Sequence, residues 1–218
     1  VIGNDIVDLR QARQESDWRR PRYLEKIFTK EERQQVLEAE DTDLMVWLLW
    51  SCKEAAYKRW ASQTQQRRFL PKKIEVTDFQ QMQERSLPTS EVSTQEIRHH
   101  YACSVRIIDH DYIVHANLVD DLIHSWTLAE GQRLLFREVA PLGRKDLSAA
   151  TRSLLFEHLT KHFLWSPADI SIQKNEHGRP FVYYQNKKCL LSLSLAHHGR
   201  YGGFLLTEGK GLENVLDV

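Results

Sequence analysis

Three side chains stand out for the chemistry they could do: Asp5 in IGNDIVD, and Glu54 and Lys58 in WSCKEAAYKRW, Trp50 to Trp60. Asp5 lies in a short apolar run beside Gly3, where a ligand can approach the backbone. A strand-end aspartate that caps a turn would look the same. Glu54 and Lys58 are spaced i,i+4 and so share one helical face. On a solvated face such a pair contributes a few tenths of a kcal/mol. Yet DLMVWLL runs just before it, and Lys53 sits inside the same greasy segment. A buried charge costs several kcal/mol unless it is paired or bound. A carboxylate for a metal with lysines for phosphates is the set that phosphoryl chemistry needs. Asp5 and Glu54 could together hold one Mg²⁺, with water and phosphate oxygens as its other ligands. Asp8 reads more simply, as a helix cap for the basic segment after it.

The second half holds two further candidates. In LSLAHHGRYGG, His197 and His198 sit where a strand gives way to a glycine turn. No third ligand is spaced for zinc. A histidine and the nearby Arg200 could bind phosphate, or the pair could be ordinary turn residues. In HGRP, His177 to Pro180, the choice is between a plain turn and an Arg179 aimed at phosphate by a rigid Pro180. The usual nucleotide loops, G-x-x-x-x-G-K-(S/T) and G-x-G-x-x-G, are absent, as is the G-x-S-x-G of acyl hydrolysis.

The elements that must carry these residues read as α+β. VIGNDIVDL is a short buried strand, followed by the polar, basic stretch 10–22. FTKEERQQVLEAE starts a helix with Thr29 as N-cap and Glu32 completing a capping box. DTDLMVWLLWSCKEAAYKRWAS is a second helix, capped near Asp41 to Asp43 and apolar on most sides, so it belongs between layers. KKIEVTDF is a strand, residues 80–97 a polar, mobile connection, and YACSVRIIDHDYIVHANLV two strands joined at Asp109-His110-Asp111. The second half repeats the grammar: helix SAATRSLLFEHLTKHFLW, Pro-led strand SPADISIQ, turn NEHGRP, then strand-turn-strand KKCLLSLSLAHHGRYGGFLLTE. Both halves contain Pro-x-x-I-x-(V/I). The expected organisation is two similar units, 1–120 and 121–218, in a pseudo-twofold pair, each a small antiparallel sheet packed with helices.

The 218 residues carry 30 Lys+Arg against 30 Asp+Glu, so no bulk charge argues for nucleic acid. Cys52, Cys103 and Cys189 are odd in number and lack a C-x-x-C, which suggests free thiols in a reducing compartment. The longest apolar run, LMVWLLW, is far short of a membrane span. The N-terminus has no signal-peptide layout. Cytoplasmic placement is the expectation.

Together the pieces resemble the 4'-phosphopantetheinyl transferases. That family combines a G-x-D-(I/V) strand, F-(S/T)-x-x-E, W-S-x-K-E-x-x-x-K, a strand like IEV, a G-(K/R)-P turn and a strand ending S-x-(S/A)-H-x-G. Here these read GNDI at 3–6, FTKEE at 28–32, WSCKEAAYK at 50–58, IEV at 74–76, GRP at 178–180 and SLAHHGR at 194–200. The G-x-D strand comes first, as in the small holo-acyl-carrier-protein synthases, but the chain has the length of the two-unit surfactin-type enzymes. It resembles the latter with its halves exchanged.

The resemblance implies Mg²⁺-dependent transfer of 4'-phosphopantetheine from coenzyme A to a serine of an apo acyl or peptidyl carrier protein, releasing 3',5'-ADP. It makes Asp5 and Glu54 the metal ligands, Glu54 also a candidate general base, and Lys58 a contact to the transferring phosphate. His197 and Arg179 would bind coenzyme A, with Arg144 or Lys145 at its 3'-phosphate. An acidic helical carrier would be steered by Arg10, Arg13, Arg19, Arg20 and Arg22, unless these form a solvated loop. One chain supplying both walls of a cleft implies a monomer. Two positions depart from the surfactin-type pattern: Val7 replaces an acid, and Ala196 the serine before the histidine. They leave open a non-catalytic coenzyme A-binding homologue, or another Mg²⁺-dependent phosphotransferase on the same scaffold.

Overall fold

The computed structural model describes residues 1–82, 99–143 and 146–209. The chain is mixed α+β with antiparallel sheets throughout. Strand β1, Gly3–Asp8, leads into α1, Leu9–Glu15, then α2, Tyr23–Ile27, and α3, Lys30–Glu38. The long helix α4, Thr42–Thr64, follows, then β2, Ile74–Met82, β3, His99–Ile107, β4, His110–Val119, and β5, Leu122–Thr127. These five strands form one sheet in the order β1-β5-β4-β3-β2. Most of the expected polar connection at 80–97 lies outside the described residues. The expected division at 120 falls in the turn between β4 and β5, and strand pairing carries the first sheet on to Thr127.

Helix α4 is buried because its apolar residues do not keep to one stripe. Val46, Trp47, Leu48, Leu49, Cys52, Ala55, Ala56 and Trp60 all join the main core, with Val105, Ile107, Val114, Ala116 and Ile123 from the sheet. Gly3 is what lets the helix lie so close to β1. A Cβ there would stand 2.1 Å from the Ala55 carbonyl oxygen and 2.8 Å from the Arg59 nitrogen. The partner that approaches the backbone at Gly3 is therefore this helix, not a ligand. The capping box on α3 forms as expected: Glu32 N donates to Thr29 Oγ1 at 3.2 Å, and Thr29 N to Glu32 Oε2 at 2.8 Å.

The rest of the chain supplies β6, Leu134–Pro141, α5, Leu147–Phe163, β7, Ile170–Lys174, β8, Pro180–Tyr184, β9, Lys187–Lys188, β10, Leu191–His198, and β11, Tyr201–Glu208. They make two three-stranded sheets, β10-β11-β6 and β7-β8-β9. Each Pro-x-x-I-x-(V/I) segment does the same job: a single 3₁₀ turn, Pro71–Lys73 or Pro167–Asp169, delivers a buried isoleucine to the strand after it. Sequence patterning misses β5 and β6. Every residue of β5 is buried, so it lacks polar alternation.

Strand β1 is the seam between the sheets. Its Gly3, Asp5 and Val7 alternate with Asn4, Ile6 and Asp8, so one set faces α4 and the other faces β10. Ile6 packs with Leu122 and Ala196, and the Asn4 N–H donates to Ser194 Oγ at 3.1 Å. Val7 belongs to the main core and Ala196 to the seam, both almost fully buried. Neither departure from the surfactin-type pattern thus leaves a gap in the packing. Among the described residues no helix is long and apolar enough to cross a membrane.

Candidate functional site

Asp5 and the charged face of α4 come together as their types suggested. Lys58 Nζ donates to Asp5 Oδ1 at 2.8 Å and to the Asn4 carbonyl at 2.9 Å. Glu54 lies one turn before Lys58 on the same face. Burial, and then the negative charge of Asp5, push its carboxyl up to about 7, against the pull of Lys58. Two carboxylates that repel each other lie near one ammonium, which is bonded to Asp5 and acts on Glu54 through its charge. That is an oxygen-rich corner with room for more positive charge.

Lys53, by contrast, faces neither water nor the cleft. Its ammonium donates to Glu32 Oε2 at 2.6 Å, the Ile27 carbonyl at 3.1 Å and the Pro71 carbonyl at 3.0 Å. Glu32 in turn accepts the Val76 N–H at 2.7 Å. Burial pulls the Lys53 pKa down while Glu32 pulls it back. This residue ties α2, α3, α4 and β2 together, and the charge in the greasy segment is explained without a ligand.

Beside Lys58 opens a cleft of about 770 Å³ between α4, α5, the β7–β8 turn and the end of β10. Lys58, Arg67, Arg152, Lys174, Arg179 and Lys188 line it, with His177 and His197. Among the described residues no carboxylate does. Lys58 has Asp5 as its counter-ion, but a concave surface with this excess of cations is a site for a ligand with several negative charges. Asp5 and Glu54 are not part of this lining, and Asp5 connects to it through Lys58.

The turn NEHGRP is closed by two backbone hydrogen bonds, Asn175 N to the Arg179 carbonyl and Gly178 N to the Asn175 carbonyl, and by one side chain. Asn175 Oδ1 accepts the N–H groups of His177 at 3.1 Å and Arg179 at 2.9 Å. Gly178 adopts φ +67°, and a Cβ there would meet Arg67 Nη2 at 2.8 Å. Arg67 donates to the Glu176 carbonyl at 3.0 Å, so the segment after α4 reaches across to this turn. The Arg179 guanidinium lies 4.9 Å from the Phe181 ring, and burial lowers its pKa.

The two histidines part company. His197 is exposed and lines the cleft. His198 turns to the seam, where its Nδ1 accepts the Asp8 N–H at 2.9 Å. The notion that Arg200 serves phosphate fails: Asp8 holds its guanidinium through Nε at 2.7 Å and Nη2 at 2.9 Å. Asp8 also caps α1 through the Arg10 N–H at 3.1 Å, as expected. Arg144 and Lys145 lie outside the described residues. Sequence patterning does not single out Arg67, Arg152, Lys174 and Lys188, because isolated basic residues on a helix, strand or loop carry no spacing signal.

Residues 1–118 match the family model of the 4'-phosphopantetheinyl transferase superfamily. The chain belongs to this superfamily. Phosphopantetheinyl transfer from coenzyme A to carrier proteins is therefore its class of activity. Comparison with curated proteins and with solved structures gave no significant match. The matched stretch contains Asp5, Glu54 and Lys58, and Arg179 and His197 lie beyond it.

Members of this superfamily typically use Mg²⁺. Among the described residues, no three Asp, Glu, His or Cys side chains cluster as a ready metal cage. Asp5 and Glu54 nevertheless fit the ion. They are hard oxygen donors whose mutual repulsion a cation would relieve, and Mg²⁺ commonly takes one or two carboxylates and fills its shell with water and phosphate oxygens.

Proposed function

We propose that this chain transfers 4'-phosphopantetheine from coenzyme A to a serine hydroxyl of an apo acyl or peptidyl carrier protein, with Mg²⁺ held by Asp5 and Glu54. The observation that carries this reading is the cation-lined cleft, free of carboxylates among the described residues, that Asp5 reaches through Lys58. Coenzyme A, with a pyrophosphate and a 3'-phosphate, has the charge such a cleft favours.

In the reaction the serine oxygen bonds to the pyrophosphate phosphorus on the pantetheine side. The bond to the bridging oxygen breaks, and 3',5'-ADP departs. Bound Mg²⁺ supplies Lewis-acid neutralisation of the pyrophosphate. Glu54 takes the serine proton, directly or through a water. Lys58 and His197 neutralise charge on the transferring group. Arg179 grips the nucleotide end, with Arg67 and Arg152 as further cations.

An acidic helical carrier protein would arrive by electrostatic steering. Of the basic stretch, Arg10 and Arg13 already face Asp121 at 2.6 and 3.7 Å, and Arg19 faces Asp43 at 3.1 Å. A second groove, of about 760 Å³, adds Lys30 and Arg33 to Arg19, Arg20 and Arg22, against the two carboxylates Glu25 and Glu38, with Leu37 exposed at its rim. This groove supports a carrier-docking role better than the stretch alone.

The reading also takes the chain as two related units, with coenzyme A between them. In support, β1 pairs with β5 and β6 with β11, so in each sheet the strand earliest in the chain pairs with the latest. One chain supplying both walls favours a monomer. Free Cys52, Cys103 and Cys189 agree with a cytoplasmic setting.

The test is incubation with coenzyme A, Mg²⁺ and a panel of apo carrier proteins, read by mass spectrometry. A gain of one phosphopantetheine on a carrier is expected. No gain with any carrier, alongside measurable coenzyme A binding, would replace transfer with binding alone. Full activity in Asp5→Ala or Glu54→Ala would sink the metal assignment.

A further inference from the structure

We propose that Asp8 and Arg200 are a positioning pair that aims His197 into the cleft; its functional meaning rests on the cleft being the coenzyme A site. Asp8 has a carboxylate only 1% exposed. It accepts the Arg200 main-chain N–H at 3.0 Å, Arg200 Nε at 2.7 Å and Arg200 Nη2 at 2.9 Å. A two-pronged arginine–carboxylate contact fixes geometry as well as contributing energy.

The whole turn after His197 is pressed onto this one side chain. The Asp8 N–H holds His198 Nδ1 at 2.9 Å. Gly199 has φ +59°, and a Cβ there would stand 2.5 Å from Asp8 Oδ2. The Arg200 carbonyl then accepts the Leu142 N–H at 2.6 Å. Side chains alternate along a strand, so pinning His198 to the seam turns His197 to the opposite side, toward the cleft.

The other cleft wall is anchored on the same strand. Asp5, three residues before Asp8, binds Lys58 at 2.8 Å. Strand β1 therefore sets both ends of the Lys58–His197 span. Pairing with Gly202 keeps His197 in the β10–β11 ladder, and the Asp8–Arg200 contact fixes that end of the hairpin against β1.

The test is a double-mutant cycle on the full chain, with coenzyme A binding measured by calorimetry. Arg200→Gln is expected to weaken binding about tenfold, and to have little further effect when His197→Ala is already present. Equal losses in both backgrounds would overturn the proposal. Arg200→Lys, which keeps the charge but not the fork, carries the cycle if Arg200→Gln does not fold. A second readout needs no ligand: the His197 Cε1–H resonance should shift in the Arg200 variant and stay fixed in Arg106→Gln, whose partner Asp111 is on another hairpin. An unmoved resonance overturns the pair. Failure of the wild-type chain to bind coenzyme A would instead overturn the reading of the cleft and leave the resonance to decide.

Discussion

Lys53 and Glu32 form an ion pair of 2.6 Å with side chains 0% and 1% exposed, on the face of α4 turned away from the cleft. The pair is held by two carbonyls and two N–H groups from separate elements, so neither charge is left bare. Removing one partner of such a pair leaves the other buried and uncompensated. Lys53→Met should cost about 3–5 kcal/mol in urea unfolding. A loss below about 1 kcal/mol would show that the pair is not the clasp its geometry describes.

Glu54, the next residue, works in the opposite sense. Its folded pKa of about 7 stands above the ordinary 4.5. Between those values the folded protein keeps a proton that the unfolded chain has released. Stability contributed here therefore falls as pH rises from 4.5 to about 7, then levels off. Glu54→Gln should flatten that slope and raise stability above neutral pH by on the order of 2–3 kcal/mol, while abolishing transfer. Melting curves at several pH values, without added divalent ions, measure the slope. An unchanged slope would remove the case for a strained carboxylate.

How much of this was legible beforehand depended on whether a residue's role was local. The Thr29–Glu32 capping box and the i,i+4 pair Glu54–Lys58 follow from spacing along one helix. Lys53 looked like part of the same charged set, yet 3.6 residues per turn carries it round to a different neighbour. Its partner Glu32 was visible only as a cap. The choice between His197 and His198 depended on strand alternation against β1, which lies far away in sequence. Arg67 and Arg152 reach the cleft through tertiary packing alone.

Arg152 offers a check on that last group. Its Nε is buried without a partner, and the side chain lines the cleft. An unsatisfied charged donor inside a cleft is costly unless a ligand completes it. Arg152→Gln should weaken coenzyme A binding by about tenfold or more, the worth of a charge-assisted hydrogen bond. Calorimetry against coenzyme A reads the change. Unaltered affinity would place the ligand elsewhere in the cleft.

The seam holds a separate acid-sensitive group. His115 lies between the His100 ring at 5.4 Å and Trp126 at 5.6 Å, and Arg137 from β6 covers Trp126 at 3.8 Å. Burial first, then His100 and Arg137, lower the His115 pKa from 6.5 to about 4, and burial with Arg137 and Lys58 lowers His124 as well. The folded state thus keeps His115 neutral where the unfolded chain would protonate it. Stability from this site is whole above about 6.5 and is lost progressively as pH falls toward 4, below which both states are protonated and the loss stops growing. His115→Phe keeps a ring against Trp126 without a titratable group, so it should reduce the fall in melting temperature between about pH 6.5 and 4. A wild-type fall that survives in His115→Phe would assign the acid sensitivity to His124 or to the carboxylates instead.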